Sequence, residues 1–195
     1  MSDQMLKTPS SVDADRWLKS YCLLRGAVSV AWVITALTVG GTAPAVGSGL
    51  LLIYPAWDAV ANVVDARQNA GLRRNPTQTF NAIVSGATTV AVAIALAMGI
   101  HAVFAVFGVW AAFSGLLQLA TALRRRKRSG AQWLMVISGV QSAAAGAMFL
   151  KQATADELPT IVGIAPYAAF GAFYFLASGV WLIVSAARRR RLPTA

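Results

Sequence analysis

The side chain that most needs a physical explanation is the carboxylate of Asp58, which lies in the otherwise apolar stretch YPAWDAVANVVDAR. A carboxylate in such a setting can carry a proton, bind a cation or form an ion pair. Asn62 and Asp65 follow Asp58 at intervals of four and seven residues. In a helix this spacing places all three polar groups on one face.

Arg25 is the expected partner of Asp58. At about 1.5 Å of rise per residue, Arg25 lies roughly 6 Å inside the start of its apolar segment, and Asp58 roughly 9–10 Å from the end of the next. Consecutive membrane helices run antiparallel, so the two charges reach similar depths. Pairing them would offset part of the cost of about 2.5–3.5 kcal/mol for a charge in the middle of a membrane helix. The sequence therefore predicts an intramembrane polar cluster of Arg25, Asp58, Asn62 and Asp65.

Two roles fit this cluster. It can be a clamp that fixes how the first two helices pack, or a proton or ion relay that opens to the cytoplasm. A relay needs a chain of polar groups, whereas the outer halves of the apolar segments are rich in Val, Ala and Leu. Gln118 and Gln141 are isolated candidates for extending such a chain. The clamp is the favoured interpretation, and the relay is the alternative.

A second group of ionisable residues falls in the predicted outer connections. His101 lies in the very short turn between the third and fourth apolar segments, and Asp156 and Glu157 lie in the next outer loop. Because histidine ordinarily titrates near pH 6.5, about the range of mild acid, these residues form a candidate pH-sensing group. An ordinary turn position at the membrane interface is the favoured interpretation of His101.

Enzyme chemistry finds little support in the sequence. The chain has one His, one Cys and seven acidic residues, and it lacks the HExxH, Walker-type GxxxxGK[ST] and GxSxG motifs. These residues are too few for a credible metal site, and the single cysteine, Cys22, can form no internal disulfide. We therefore expect a protein without catalytic, cofactor or metal sites.

The composition indicates a membrane protein. Hydrophobic residues make up 57% of the 195 residues, charged residues make up 12%, and the mean hydropathy is +0.59. A soluble fold of this size could not bury so much apolar surface. Six segments approach or exceed the length of about 20 residues needed to cross a bilayer: 21–40, 46–65, 79–99, 102–123, 132–150 and 162–187. Backbone groups in lipid must bond internally, so we predict an all-α polytopic fold with six transmembrane helices.

The positive charges predict the orientation of the segments. Every Lys and Arg except Lys151 lies near the N-terminus, after the second or fourth segment, or at the C-terminal end. Short loops rich in these residues stay in the cytoplasm, so both termini should be cytoplasmic. The net charge of +10 then reflects topology, and anionic lipid headgroups are the expected partners. The basic run Arg124–Arg128 has no interleaved aromatic residues, so nucleic acid is not an expected partner.

Matching dipeptides suggest an internal repeat. RG at 25–26 matches SG at 85–86 and 138–139, and WD at 57–58 matches SG at 114–115 and 178–179. The WD dipeptide and the two SG dipeptides that match it are each followed by a basic residue, nine positions after Asp58, Gly115 and Gly179. These basic residues are Arg67, Arg124 and Arg188. Chance alignment of small residues, which are common in membrane helices, is the alternative explanation.

The repeat divides the chain into helical hairpins. We predict units at 21–71, 77–130 and 131–191 within one transmembrane domain, related by an axis along the membrane normal. A cytoplasmic arm, 1–20, precedes this domain, and a cytoplasmic tail, 192–195, follows it.

Small residues should make the helix contacts. Burying apolar surface gives helices in lipid no net drive to associate, so close backbone approach must supply contact energy. Gly139, Ser142 and Gly146 mark such a face in the fifth segment, and Gly163, Gly171 and Gly179 mark one in the sixth. We expect these faces to pack inside the bundle, with a homo-oligomer interface as the second choice.

The three two-helix units, their SG dipeptides, the LRRRKRSGAQW connection at 123–133 and the terminal ASGVWLIVSAARRRR resemble HdeD-like acid-resistance membrane proteins. The resemblance covers nearly all of the chain after Tyr21. It implies a six-span protein of the bacterial inner membrane that is linked to survival in acid, and it brings no catalytic or ligand residues. The chain departs from the pattern in its first unit, where RG and WD replace SG.

The expected function is therefore non-enzymatic and structural or related to acid stress. A small-solute or proton transporter or channel that uses the polar face at Arg25 and Asp58 is the alternative.

Overall fold

The computed structural model describes residues 11–69, 71–124 and 132–191, and this part of the chain is all-helical. Six long helices are present: α1 (Ser11–Thr35), α2 (Pro44–Gln68), α3 (Pro76–Met98), α4 (Ile100–Arg124), α5 (Gln132–Gln152) and α6 (Ala165–Arg191). A π-helical turn, Ala36–Gly40, extends α1, and short 3₁₀ turns at Leu72–Arg74 and Ile161–Ile164 precede α3 and α6. The predicted all-α class is confirmed. The first ten residues of the arm, residues 125–128 of the basic run and the tail 192–195 lie outside the described residues.

The helix ends follow from local backbone chemistry. Pro44 and Pro76 are the first residues of α2 and α3, where the amide hydrogen that proline lacks has no partner in the helix. Gly99, with a φ of 115°, alone joins α3 to α4, and glycine adopts this angle without steric cost. His101 consequently lies in the first turn of α4, whereas the sequence predicted that it lies in the turn between the third and fourth segments.

The outer surface of the bundle is apolar. On α3, Ile83, Val90 and Ile94 are 64%, 62% and 61% exposed, and large apolar side chains are exposed on the other helices as well. Soluble proteins rarely expose apolar surface on this scale. Four stretches of the described chain are long and apolar enough to cross a membrane: Arg16–Gly40, Pro76–Met98, Ile100–Ala120 and Ile161–Arg188. The helices are those of a multi-pass membrane protein.

Neither α2 nor α5 is among these four stretches, so the described residues support four spans by length and composition, and the expected six are not confirmed. Both helices are long, with 25 and 21 residues. At about 1.5 Å per residue, each could cross a hydrocarbon core of about 30 Å. Polar side chains of both helices line the interior of the bundle, including Asp58 and Asn62 on α2 and Gln141 and Ser142 on α5.

The six helices form a ring in chain order. Helix α2 packs closely along α3, α4 along α5, and α6 along α1. Helices α3 and α4 contact each other less, and the pairs α1–α2 and α5–α6 touch at only a few points. The closest helix pairs therefore lie between the predicted hairpins and not within them.

Glycines explain the close packing of α4 on α5. A methyl group built on Gly108 would lie 2.9 Å from the backbone nitrogen of Leu150, and one built on Gly139 would lie 3.0 Å from the carbonyl oxygen of Gly115. Gly146 packs in the same way against Ala112. The small-residue face of α5 lies inside the bundle, as the sequence predicts. On α6, Gly179 packs against Leu23 of α1.

The ring has two different ends. The end that we call the basic end carries the start of α1, the α2–α3 turn and the C-terminal part of α6, with Arg16, Lys19, Arg67, Arg73, Arg74 and Arg188. The opposite end, which we call the closed end, carries Lys151, the turn at Gly99 and the loop between α5 and α6. The apolar core, with Phe104, Phe107 and Phe149 fully buried, occupies the half of the ring toward the closed end.

Candidate functional site

A cavity of about 430 Å³ lies in the middle of the ring, and all six helices contribute to its wall. Its lining is mostly polar on the side of the basic end and aromatic toward the closed end. The polar part consists of hydroxyl and amide side chains around one pair of opposite charges. This volume is within the range of about 300–1,000 Å³ that is usual for small-molecule sites.

Arg25 and Asp58 form an ion pair in the cavity wall between Nη2 and Oδ1. The two side chains are only 12% and 23% exposed. The structure thus brings together the two residues whose depths matched in the sequence. Because α1 and α2 touch at few other points, this pair is a principal link between them.

The second oxygen of Asp58 is also fully engaged. Ser85 of α3 donates a hydrogen bond of 2.7 Å to Oδ2, and the amide of Asn62 donates one of 3.1 Å to the same atom. Asn62 also donates to the main-chain carbonyl of Asp58, at 2.8 Å. These bonds fix the carboxylate in one orientation. Ser85 was not among the predicted site residues, although its SG dipeptide had been matched to Arg25–Gly26.

Arg25 has two further contacts that hold its guanidinium in place. Its Nη1 donates to the Tyr21 hydroxyl at 3.0 Å. The guanidinium carbon lies 4.3 Å from the ring centre of Phe175 on α6, a favourable cation–π distance. Arg25 therefore ties α1 to both α2 and α6.

Asp65 lies apart from the cavity, closer to the basic end. Its Oδ1 accepts from the Asn69 amide at 2.9 Å and, more weakly, from Trp17 Nε1 at 3.5 Å. Gln78 approaches its Oδ2 at 3.4 Å. Within the described residues, Asp65 is buried and forms no ion pair. The predicted cluster therefore separates into two parts. Arg25, Asp58 and Asn62 line the cavity, whereas Asp65 lies nearer the basic end and is hydrogen-bonded to uncharged side chains.

The matched dipeptides converge on the cavity. Their first residues, one from each helix, all line it: Arg25, Trp57, Ser85, Ser114, Ser138 and Ser178. The second residue of most dipeptides is a glycine that lies against a neighbouring helix, for example Gly26 against Leu176. In the WD dipeptide the second residue is Asp58, which lines the cavity. The repeat in the sequence thus marks six positions that the structure brings together around the cavity.

Gln118 and Gln141 also line the cavity. The Gln141 side-chain oxygen accepts a hydrogen bond of 3.0 Å from the Tyr174 hydroxyl, and that of Gln118 is 3.4 Å from the Ser138 hydroxyl. They extend the polar surface around the ring and not toward the closed end.

Aromatic rings close the cavity on the other side. The Tyr54 ring lies 5.0 Å from Trp32, 5.8 Å from Trp110 and 6.3 Å from Tyr167, measured between ring centres. Beyond them, Phe104 and Phe149 meet edge to face at 5.7 Å. Such contacts are favourable packing geometries for aromatic pairs. The sequence did not predict this group, because single aromatic residues in separate apolar segments give no sign that they will meet.

One donor in the cavity wall is left unsatisfied. The indole N–H of Trp57 is buried and has no hydrogen-bond partner among the described residues. An unpaired buried donor is costly, and native structures normally satisfy such groups. Trp57 also contributes to the lining of the cavity.

The candidate pH-sensing residues lie at the closed end. The His101 Nε2 is 3.1 Å from the carbonyl oxygen of Ala155, the residue before Asp156. Asp156 and Glu157 themselves are exposed. The structure thus places the His101 ring against the loop that carries both acids, while acid sensing by this group stays a prediction.

Metal coordination has no candidate centre in residues 11–69, 71–124 and 132–191, where no three His, Cys, Asp or Glu side chains are grouped suitably. Cys22 is buried and reduced on α1, next to Gly179 of α6.

Comparison with known proteins gives one match. No curated protein and no solved structure matches the chain. The segment 80–151, which runs from α3 to the end of α5 and contains three of the SG dipeptides, is similar to a family described as a short repeat of unknown function (DUF308).

Proposed function

We propose that this chain is a non-enzymatic, six-span protein of the bacterial inner membrane, of the HdeD-like type, that binds a small polar solute or a proton from the cytoplasmic side. It would act as a transporter or channel. The observation that carries the proposal is the polar cavity around Arg25 and Asp58, which all six helices line and aromatic rings close on one side. A bundle with a purely structural role has no need of such a cavity.

The geometry of α2 and α5 supports six spans. Both helices belong to the ring with the other four helices, and their polar residues Asp58, Asn62, Gln141 and Ser142 line the cavity. Polar groups in membrane proteins normally face the interior of a bundle in this way.

The distribution of charge supports the orientation. The described Lys and Arg side chains outside the cavity, apart from Lys151, lie at the basic end. If this end faces the cytoplasm, the termini are cytoplasmic, the polar side of the cavity opens toward the cytoplasm, and the arginines contact anionic headgroups.

Flux in vesicles tests the proposed function. The purified chain would be reconstituted and the movement of protons and of small solutes measured beside that of Asp58→Asn. Flux in the native chain that falls in the variant supports the proposal. No flux in either, combined with no solute binding, contradicts it.

A structural clamp is the second candidate, and one observation favours it. Helices α1 and α2 touch at few points, so the Arg25–Asp58 pair is an important link between them. In this role the bundle would support the membrane under stress, and the HdeD-like resemblance suggests acid as that stress. Growth of a deletion strain at low external pH tests the acid role. Normal growth of that strain in acid would exclude this role.

A further inference from the structure

The cavity offers mixed hydrogen-bonding groups and no uncompensated charge. Among its described lining residues the charged ones are Arg25 and Asp58, and these neutralise each other. Both oxygens of Asp58 are occupied, one by Arg25 and the other by Ser85 and Asn62. An anion or a cation would have to break this pair in order to gain a counter-charge, which is strongly unfavourable for a desolvated ion pair.

The remaining polar groups of the wall are available to a ligand. Ser29, Ser114 and Ser178 line the cavity, and their hydroxyls form no hydrogen bond with another described residue. The same is true of the amide of Asn81 on α3. Each of these groups can both donate and accept, whereas the unpaired Trp57 N–H can only donate. A matching ligand must therefore present both donors and acceptors.

The aromatic side of the cavity provides the apolar part of the fit. Trp57, Tyr54, Trp110 and Tyr167 present ring surface to the same space. Ring faces suit the C–H surface of a compact solute, and the hydroxyls and amides on the other side suit its polar edge. Small-molecule sites likewise combine apolar or aromatic surface with directed polar groups.

We propose that the cavity binds an uncharged polyol, a small solute whose hydroxyl groups donate and accept hydrogen bonds together. This inference rests on the proposed function, and it names the chemical class of the solute. The Trp57 N–H would donate to one ligand hydroxyl, while Ser114, Ser178 and Asn81 bond to others. The Arg25–Asp58 pair stays intact and forms part of the wall.

Binding to the purified full-length chain in lipid nanodiscs tests the inference. The probes are glycerol, a pentitol and a hexitol as polyols, glycine as a zwitterion, and acetate and ammonium as ions, with affinity measured by calorimetry. We expect at least one polyol to bind and the charged probes not to bind. Trp57→Phe keeps the ring but removes the donor, so it should weaken polyol binding about threefold to tenfold, as expected for one hydrogen bond. Ser114→Ala should act similarly.

Trp181→Phe is the matched control, since Trp181 lies on the outer surface of α6 with 69% exposure and should leave affinity unchanged. Folding of every variant is checked by its thermal transition. Binding of glycine or of an ion, sensitive to Trp57→Phe, while no polyol binds, would overturn the solute class but keep the solute site. No binding of any probe by the folded chain would overturn the polyol inference, and together with absent flux it would also remove the proposed function.

Discussion

The hydroxyl of Ser85 donates a 2.7 Å hydrogen bond to the carboxylate of Asp58, on the oxygen that Arg25 leaves free. In the sequence, Ser85 holds the position in the second repeat unit that Arg25 holds in the first. Residues at matched positions thus bind the same carboxylate from opposite sides. Asp58 consequently joins three successive helices, α1, α2 and α3, at the wall of the cavity.

Removing the charge of Asp58 should destabilise the bundle. In Asp58→Asn the side chain keeps its size, but Arg25 remains charged and without its counter-ion in a largely buried place. We expect a loss of about 3 kcal/mol, in the range for breaking one side of a buried pair, seen as a lower thermal transition in detergent. The double variant Arg25→Gln, Asp58→Asn removes both charges and should recover part of the loss. Equal stability of Asp58→Asn and the native chain would refute the clamp.

Two glycines of the same dipeptide type should respond differently to a methyl group. A Cβ on Gly115 of α4 would press on the backbone of α5 at Gly139 and Ala143, whereas a Cβ on Gly86 of α3 meets nothing within 4 Å. We expect Gly115→Ala to cost about 1–3 kcal/mol through overpacking. Gly86→Ala should be neutral or gain up to about 1 kcal/mol from helix propensity. Thermal unfolding of both variants decides the matter, and an unchanged Gly115→Ala transition would speak against the tight α4–α5 contact.

Shortening an aromatic residue near the closed end should open the cavity. Phe104 is fully buried and packs on Phe149. Phe104→Ala should lower the stability by about 3–5 kcal/mol and raise the passive leak of small solutes through reconstituted vesicles. Phe173→Ala, at a position that is 62% exposed on α6, is the control and should leave the leak at the native level. A folded Phe104→Ala protein with no added leak would show that the aromatic residues do not form the seal.

The sequence predicted the helices because hydropathy and helix length are local properties. It also anticipated the meeting of Arg25 and Asp58, since matched depth in consecutive helices needs only the rise per residue. The sequence did not predict which helices pack most closely. Glycines such as Gly108 and Gly146 indicate a close contact only when the opposing backbone is known. For this reason the sequence did not predict that the closest helix pairs lie between the predicted hairpins and not within them.

The cavity itself was only partly foreseeable. The SG dipeptides indicated matched positions in a repeat but not a cavity, because a serine in a membrane helix can face either a neighbour or an interior space. Ser114 and Ser178 turn toward the cavity because their glycines take the helix contacts. Polar residues inside the apolar segments, such as Asp58 on α2 and Gln141 on α5, were the available signal that the ring has a polar interior.

Access to the cavity from one side of the membrane is the central claim, and cysteine labelling tests it most directly. In a Cys22→Ser background, Ser114→Cys would be exposed to a membrane-impermeant thiol reagent in right-side-out and in inside-out vesicles. The lipid-facing variant Val90→Cys, at a position that is 62% exposed, is the control that should resist the reagent in both. We predict that Ser114→Cys reacts only when the cytoplasmic face is accessible. Reaction from the outer face, or equal protection from both faces in the folded protein, would contradict the account.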